Sequence, residues 1–143
     1  MPKKNATGIK KIAKLMRDID LCMLTTHTTR GGLHVRPMSN NGEVEFDGDV
    51  WFFSAADSRK VREIEAEPNV HLSYVDLEDR RFLSMTGRAR IVRSVEKKRD
   101  LWLEELGQWF DDGPESDAIV LIKVTPTVIS YWTKSDAGEV RLK

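Results

Sequence analysis

Most apolar residues in this chain alternate with polar ones, which is typical of β-strands, but three segments have helical spacing instead. The spacing predicts an opening helix over 7–17, a short helix that Pro68 ends, and a second sizeable helix over 95–110. The apolar runs predict six or seven strands joined by short connections, which indicates a mainly β (α+β) fold. We expect a closed antiparallel barrel, because closure removes exposed strand edges. The runs are 21–26, 33–40, 43–46, 49–54, 70–75, 82–92, 118–124 and 128–133.

Two local signals refine these strands. Asp47-Gly48 is a two-residue turn that predicts a hairpin between 43–46 and 49–54. Pro37 lies in the middle of the second run, and a proline has no N–H to donate to a central strand. Its strand is therefore either an edge strand protected against aggregation or one whose free backbone groups meet a ligand such as a flat heterocycle. Both interpretations stay open.

Composition places the chain among globular proteins and limits the classes of partner that its net charge would favour. It has 143 residues, of which 40% are hydrophobic, and we expect a single domain over 1–143. Lys and Arg together number 23, as do Asp and Glu, so the zero net charge gives no bulk electrostatic reason to bind nucleic acid or a membrane. The longest apolar run, 118–122, is too short to cross a bilayer.

The cysteine and histidine residues bear on compartment and metal binding. Cys22 is the single cysteine and lies in an apolar run, so we expect a buried thiol in a reducing, cytoplasmic compartment. His27, His34 and His71 lack the spacing of metal ligands, and we expect no metal site. His34 is predicted to share a strand face with Arg36.

The charges of the short helix run in an unusual direction. A helix has partial positive charge at its first turn, so each misplaced charge costs about 0.3–1 kcal/mol. One explanation is a phosphate bound at the helix start, where free N–H groups and cations converge. The other is a solvated helix whose Arg and Glu side chains pair along its length. Basic residues crowd the start and acidic residues crowd the end: Arg59, Lys60 and Arg62, then Glu63, Glu65 and Glu67.

The order of several motifs resembles the FMN-binding split barrel of the pyridoxamine 5′-phosphate oxidase superfamily, and most closely its general stress protein 26 group. The resemblance covers roughly 8–142 and implies a six- or seven-stranded antiparallel split β-barrel with short flanking helices. The motifs are an Arg-Pro-Met strand at 36–38, Phe53-Ser54, the helix opening with Ser58-Arg59-Lys60, Gly87-Arg88-Ala89, and a closing strand over 126–132 that contains Trp132.

The resemblance also implies how FMN is held. Ser58, Arg59 and Lys60 bind its phosphate, and Arg36 lies along the same cofactor. The backbone of 37–39 meets the isoalloxazine rim. A second subunit contributes to each site, because this family builds two FMN sites across a homodimer interface. The remaining implied contacts come from Pro37, Met38, Ser39, Phe53, Ser54 and, from the other subunit, Trp132.

Some residues depart from the true oxidases of this superfamily. Those enzymes end in Arg-Leu-His-x-Arg, whereas this sequence has Arg141-Leu142-Lys143. Asn41 stands where the oxidases have a Lys for the substrate phosphate, and Phe82 replaces a flavin-contacting Gln. We therefore expect no useful oxidation of pyridoxine 5′-phosphate.

Three functions remain open. In the first, the protein is an oxidoreductase of a stress response that passes electrons between FMN and a small acceptor or a nicotinamide. In the second, it binds flavin for sensing or storage without efficient turnover. In the third, the same fold uses the deazaflavin F420. No side chain in the sequence is a compelling general acid or base.

Overall fold

Among the residues that the computed structural model describes, seven antiparallel strands form one sheet and three α-helices accompany it. The structure describes residues 5–39, 45–102, 106–107, 110 and 113–142. Within these ranges no helix combines the length and apolar character needed to cross a membrane. The elements are α1 (Ala6–Met16), β1 (Leu21–His27), β2 (Leu33–Ser39), β3 (Val50–Ala55), α2 (Arg59–Ala66), β4 (Asn69–Asp76), β5 (Arg81–Val92), α3 (Val95–Leu101), β6 (Ile119–Trp132) and β7 (Ala137–Arg141).

The strands follow the order β2-β1-β4-β5-β6-β3, and β7 also pairs with β6. The mainly β, split-barrel prediction is confirmed, but the prediction of a closed barrel is wrong for the described part of the chain. There the sheet ends at β2 on one side and at β3 on the other. The strand with Pro37 is thus an edge strand, where a missing N–H breaks no interior ladder.

Strands β5 and β6 form the long centre of the sheet. The two runs predicted at 118–124 and 128–133 are one strand, β6, which pairs with β3 along its first half and with β7 along its second. The ladder shifts register between Thr86 and Gly87, opposite Pro126. A Cβ at Gly87 would lie 2.5 Å from the Thr125 carbonyl oxygen, so only glycine permits this close approach.

Two other predictions are corrected. The hairpin at Asp47-Gly48 does not form in the described residues: Glu45 and Phe46 are not in a strand, and β3 pairs with β6 instead. Positions 43 and 44 lie outside those residues. Of the helix predicted over 95–110, α3 forms the part that ends at Leu101, and positions 103–105, 108 and 109 lie outside the described residues. Trp102 leaves the helix and packs edge-on against Phe53 at 5.3 Å between ring centroids. A large aromatic contact thus competes successfully with continued helix.

The core lies on one face of the sheet. Leu24, Leu72, Met85 and Ile129 are register partners on four successive strands, and each is at most 1% exposed. Helix α1 adds Ile12, Ala13 and Met16 to this core. Helix α2 packs against β1 and β5 and buries Val61 and Ile64. This packing places the start of α2 beside the inner face of β2.

Candidate functional site

Strand β2 presents His34, Arg36 and Met38 on its inner face. The guanidinium of Arg36 donates from Nη1 to the carbonyl oxygen of Leu24 at 3.2 Å. Its Nη2 donates to Oε1 of Glu63 at 3.0 Å and also contacts Nδ1 of His34. The predicted shared face of His34 and Arg36 is therefore confirmed, and Arg36 is held in a fixed direction.

Helix α2 begins without the usual side-chain cap. Ser58 occupies the N-cap position with extended backbone, but its hydroxyl accepts no hydrogen bond from the helix. Its Oγ lies instead 3.1 Å from Oγ of Ser54, and Ser54 donates to the carbonyl oxygen of Ala55. The first N–H groups of a helix have no partner within the helix, so they are available to an anion here.

Glu63 is a buried carboxylate that joins three elements. Its Oε1 accepts from Oγ1 of Thr26 at 2.7 Å as well as from Arg36, and its Oε2 accepts from Nε of Arg59 at 3.0 Å. Only 3% of the residue is exposed. A buried charge is tolerated when it is paired and hydrogen-bonded, which is the case here.

The pKa values reflect this arrangement. Burial alone would raise the pKa of Glu63, but the Thr26 hydrogen bond and the bonds and charges of Arg59 and Arg36 outweigh it and lower that pKa. Burial lowers the pKa of Lys60, and the charge of Arg36 lowers it further. Burial also lowers the pKa of Arg36 against the opposing effect of Glu63, although a guanidinium remains charged.

Both explanations of the unusual helix charges find support in the structure. Arg59 pairs with Glu63 one turn along the helix, and Arg93 reaches Glu65 at 3.6 Å. Among the described residues, however, no carboxylate pairs with Lys60, although this side chain is half-buried. Arg36 and Arg59 thus flank one carboxylate, and Lys60 lies close enough to Arg36 for that charge to lower the Lys60 pKa, so these three cations and Glu63 together leave two positive charges. This donor set fits a phosphate group.

The structure does not bring all the predicted site residues together within one chain. Phe53 lies on the opposite face of β3 from Ser54 and packs on Trp102. Met38 is buried in the core, whereas Pro37 and Ser39 face outward at the sheet edge. Trp132 is 48% exposed at the far end of β6. Of the others, Arg36 and Arg59 meet at Glu63 and Lys60 lies near Arg36. Ser54 contacts Ser58 at the start of α2.

Sequence reasoning missed Glu63 and Thr26. The spacing of Arg59 and Glu63, four residues apart, was a signal for their pair. Thr26 follows Cys22 and Leu24 in the buried positions of β1, and a polar residue in such a position needs a partner. No spacing in the sequence shows that Thr26, Arg36 and Glu63 meet, since they lie on three elements. Within the described residues, no group of three His, Cys, Asp or Glu side chains is placed to hold a metal ion.

The described strands form an open split barrel, in which Arg36 of the edge strand β2 and Arg59 of α2 meet at Glu63. The chain belongs to the pyridoxamine 5′-phosphate oxidase like family, whose model matches residues 7–142. The family prediction is confirmed.

Individual relatives agree with this assignment. General stress protein 26 of Bacillus subtilis is 31% identical over 94 residues, which span 63% of this chain and 66% of that protein. The crystal structure of General Stress Protein 26 from Bacillus anthracis shares 26% identity, with a TM-score of 0.79 over 94% of this chain and 98% of that one. A general stress FMN/FAD binding protein from Xanthomonas citri has the same fold, with 20% identity and a TM-score of 0.76 over 89% of both chains.

Proposed function

We propose that this protein binds FMN and passes electrons between the flavin and a small acceptor or a nicotinamide. The observation that carries this proposal is the group of Arg36, Arg59 and Lys60 next to the start of α2, which Ser58 leaves without a side-chain cap. A phosphate there receives charge-assisted hydrogen bonds and the N–H groups of the helix.

Family membership supports flavin as the group that carries this phosphate. The fold is shared with a protein described as FMN/FAD binding, and two relatives named general stress protein 26 make a stress role part of the proposal. Bound FMN would supply the redox chemistry. The chain would contribute the contacts to the phosphate and backbone groups of Pro37, Met38 and Ser39 along the ring.

A homodimer completes the proposed site. Ser54 pairs with Val120, and Trp132 lies twelve residues further along β6, about 40 Å along the strand at roughly 3.3 Å per residue. This separation favours a flavin-side Trp132 that comes from a second copy of the chain. The outer face of β1 and β2 supports such a partner, since four large apolar residues are exposed there: Leu21, Met23, Leu33 and Val35.

The visible spectrum of the purified protein tests the proposal, followed by anaerobic addition of NAD(P)H. We expect a yellow protein that NAD(P)H bleaches and a small acceptor reoxidises. Bleaching by dithionite alone would favour flavin binding without turnover. If the purified protein is colourless and binds F420 more tightly than FMN, F420 takes the place of FMN in this proposal.

Pyridoxine 5′-phosphate is the control substrate. Asn41 and Lys143 lie outside the described residues, so the expectation of no useful oxidation comes from the sequence alone. Turnover with oxygen at the rate of an authentic oxidase would contradict it. Such an enzyme needs anchors that orient its substrate, and much of a rate enhancement comes from orientation.

A further inference from the structure

We propose that Glu63 is a positioning residue that sets Arg36 and Arg59 for a phosphomonoester dianion. This inference rests on the proposed function and deepens it. It assigns Glu63 a role in selecting the chemical class of the ligand, namely a terminal phosphate that carries two charges.

The geometry shows how one carboxylate can orient two cations. Arg36 comes from β2 and Arg59 from the exposed side of α2, where 57% of its side chain is accessible. Without a partner, two such long side chains would sample many rotamers. Glu63 binds Nη2 of Arg36 and Nε of Arg59, and this leaves further N–H groups of both guanidinium groups free to meet a ligand.

The carboxylate of Glu63 is held in place by a residue that is not one of the three cations. Oγ1 of Thr26 donates to its Oε1 at 2.7 Å, and Thr26 is fully buried in β1. Thr26 therefore orients Glu63, and Glu63 in turn orients the two arginines. Hydrogen bonds behind a binding group that fix its direction commonly change ligand affinity about 10- to 100-fold in metal sites.

The charge of Glu63 also sets the balance of the site. Arg36, Arg59 and Lys60 against one carboxylate leave two positive charges, and a phosphomonoester carries a charge of about −1.5 to −2 at pH 7. A phosphodiester carries one negative charge at the same phosphorus. In the absence of Glu63 the three cations would repel one another, and Arg36 already lowers the pKa of Lys60.

Two effects of Glu63 on an anion oppose each other, and the structure indicates which is larger. A carboxylate repels a phosphate, but each Glu63 oxygen is bound to a guanidinium that offsets its charge. Loss of the carboxylate would release two arginines that must then be ordered by the ligand at an entropic cost. We therefore expect weaker phosphate binding, not stronger, when Glu63 is neutralised.

Titration of the full chain with FMN, riboflavin and FAD tests the inference. In FAD the phosphorus next to the ribityl chain is part of a pyrophosphate, with one ester and one anhydride linkage, and carries one negative charge, whereas riboflavin has no phosphate. The parent should bind FMN more tightly than both. Glu63→Gln should weaken FMN binding about 10- to 100-fold and leave riboflavin binding unchanged, because only the phosphate contacts depend on the arginines.

Two further variants separate positioning from folding. Thr26→Val removes the hydrogen bond behind Glu63 and should weaken FMN binding several-fold with no effect on riboflavin, even if Glu63→Gln does not fold. Glu65→Gln changes an exposed carboxylate on the same helix and should leave FMN affinity within about twofold.

Each contrary result has a distinct meaning. Tighter FMN binding by Glu63→Gln would show that Glu63 acts only as a negative charge that repels the phosphate, and equal losses of FMN and riboflavin binding would show a structural role. Either result overturns the inference. Unchanged FMN binding in both Glu63→Gln and Thr26→Val would also overturn it. FAD bound as tightly as FMN by the parent would overturn the preference for a dianion. A parent that does not distinguish FMN from riboflavin would instead overturn the proposed function.

Discussion

Helices α2 and α3 are of nearly equal length and both follow a serine at the N-cap, yet they begin in opposite ways. Ser94 accepts a hydrogen bond from the backbone N–H of Lys97, and Glu96 lies in the first turn of α3. Lys98 and Arg99 lie in its last turn. Ser58 caps nothing in α2, whose first turn has no acidic residue and whose last turn has no basic one.

The difference is that the start of α3 is capped in a way that stabilises the helix, whereas the start of α2 has no side-chain cap. Helix α3 has the cap and the charge order that stabilise an isolated helix. Helix α2 lacks both and depends on its packing against β1 and β5. Its serine turns toward Ser54, and its first-turn cations lie near Arg36. The proposed anion at the start of α2 would account for all of these departures together.

Reversal of the two first-turn charges should give the largest effect. Arg59→Glu with Lys60→Glu should abolish FMN retention. Two lost charge-assisted contacts at about 1.5–3 kcal/mol each weaken binding by about a hundredfold to ten-thousandfold. Equilibrium dialysis measures this loss. Lys10→Glu with Lys14→Glu makes the same change of charge at exposed positions of α1 and should retain FMN. Equal losses in both variants would mean that only net charge matters.

Separation of the two copies tests whether the start of α2 suffices alone. Met23→Glu with Val35→Glu places charges on the exposed outer face of β1 and β2. We expect a monomer by sedimentation and an FMN affinity at least tenfold weaker, because Trp132 of the second copy is lost. Leu77→Glu, in the turn after β4, should leave the dimer intact. A monomer that binds FMN with parental affinity would contradict the shared site.

The serines at the two N-cap positions provide the smallest and most direct contrast. Ser94→Ala should lower the free energy of unfolding by about 1 kcal/mol and leave FMN binding unchanged. Ser58→Ala should change the free energy of unfolding by less than about 0.5 kcal/mol, since Ser54 keeps its hydrogen bond to the carbonyl oxygen of Ala55. The same variant should weaken FMN binding about 2- to 10-fold. Denaturant melts and FMN titrations of both variants check this. The same pattern in both would remove the distinction between the helices.

Local patterns in the sequence were sufficient for most of the fold. The alternation in β5 and the spacing in α1 predict these elements to within a residue at each end, because burial of one face imposes both patterns. The end of α3 at Leu101 was missed because the contact of Trp102 with Phe53 lies between elements distant in sequence. The open sheet was missed for a similar reason, since no local pattern states which strands stay unpaired.

In the site, too, features local in sequence were predictable and contacts between distant elements were not. From the sequence alone, the basic first turn of α2 leaves two interpretations open, an anion bound at the helix start and a solvated helix with paired charges. The burial of Glu63 and its bonds to Thr26 and Arg36 depend on how α2, β1 and β2 pack, which no spacing along the chain records.

Titration of the parent protein with FMN and with riboflavin tests the central claim most directly. The two molecules share the flavin ring and differ by the phosphate. If the start of α2 and its cations grip that phosphate, FMN should bind at least about a hundredfold more tightly, from contacts of about 1.5–3 kcal/mol each. Equal affinities for FMN and riboflavin would contradict the account.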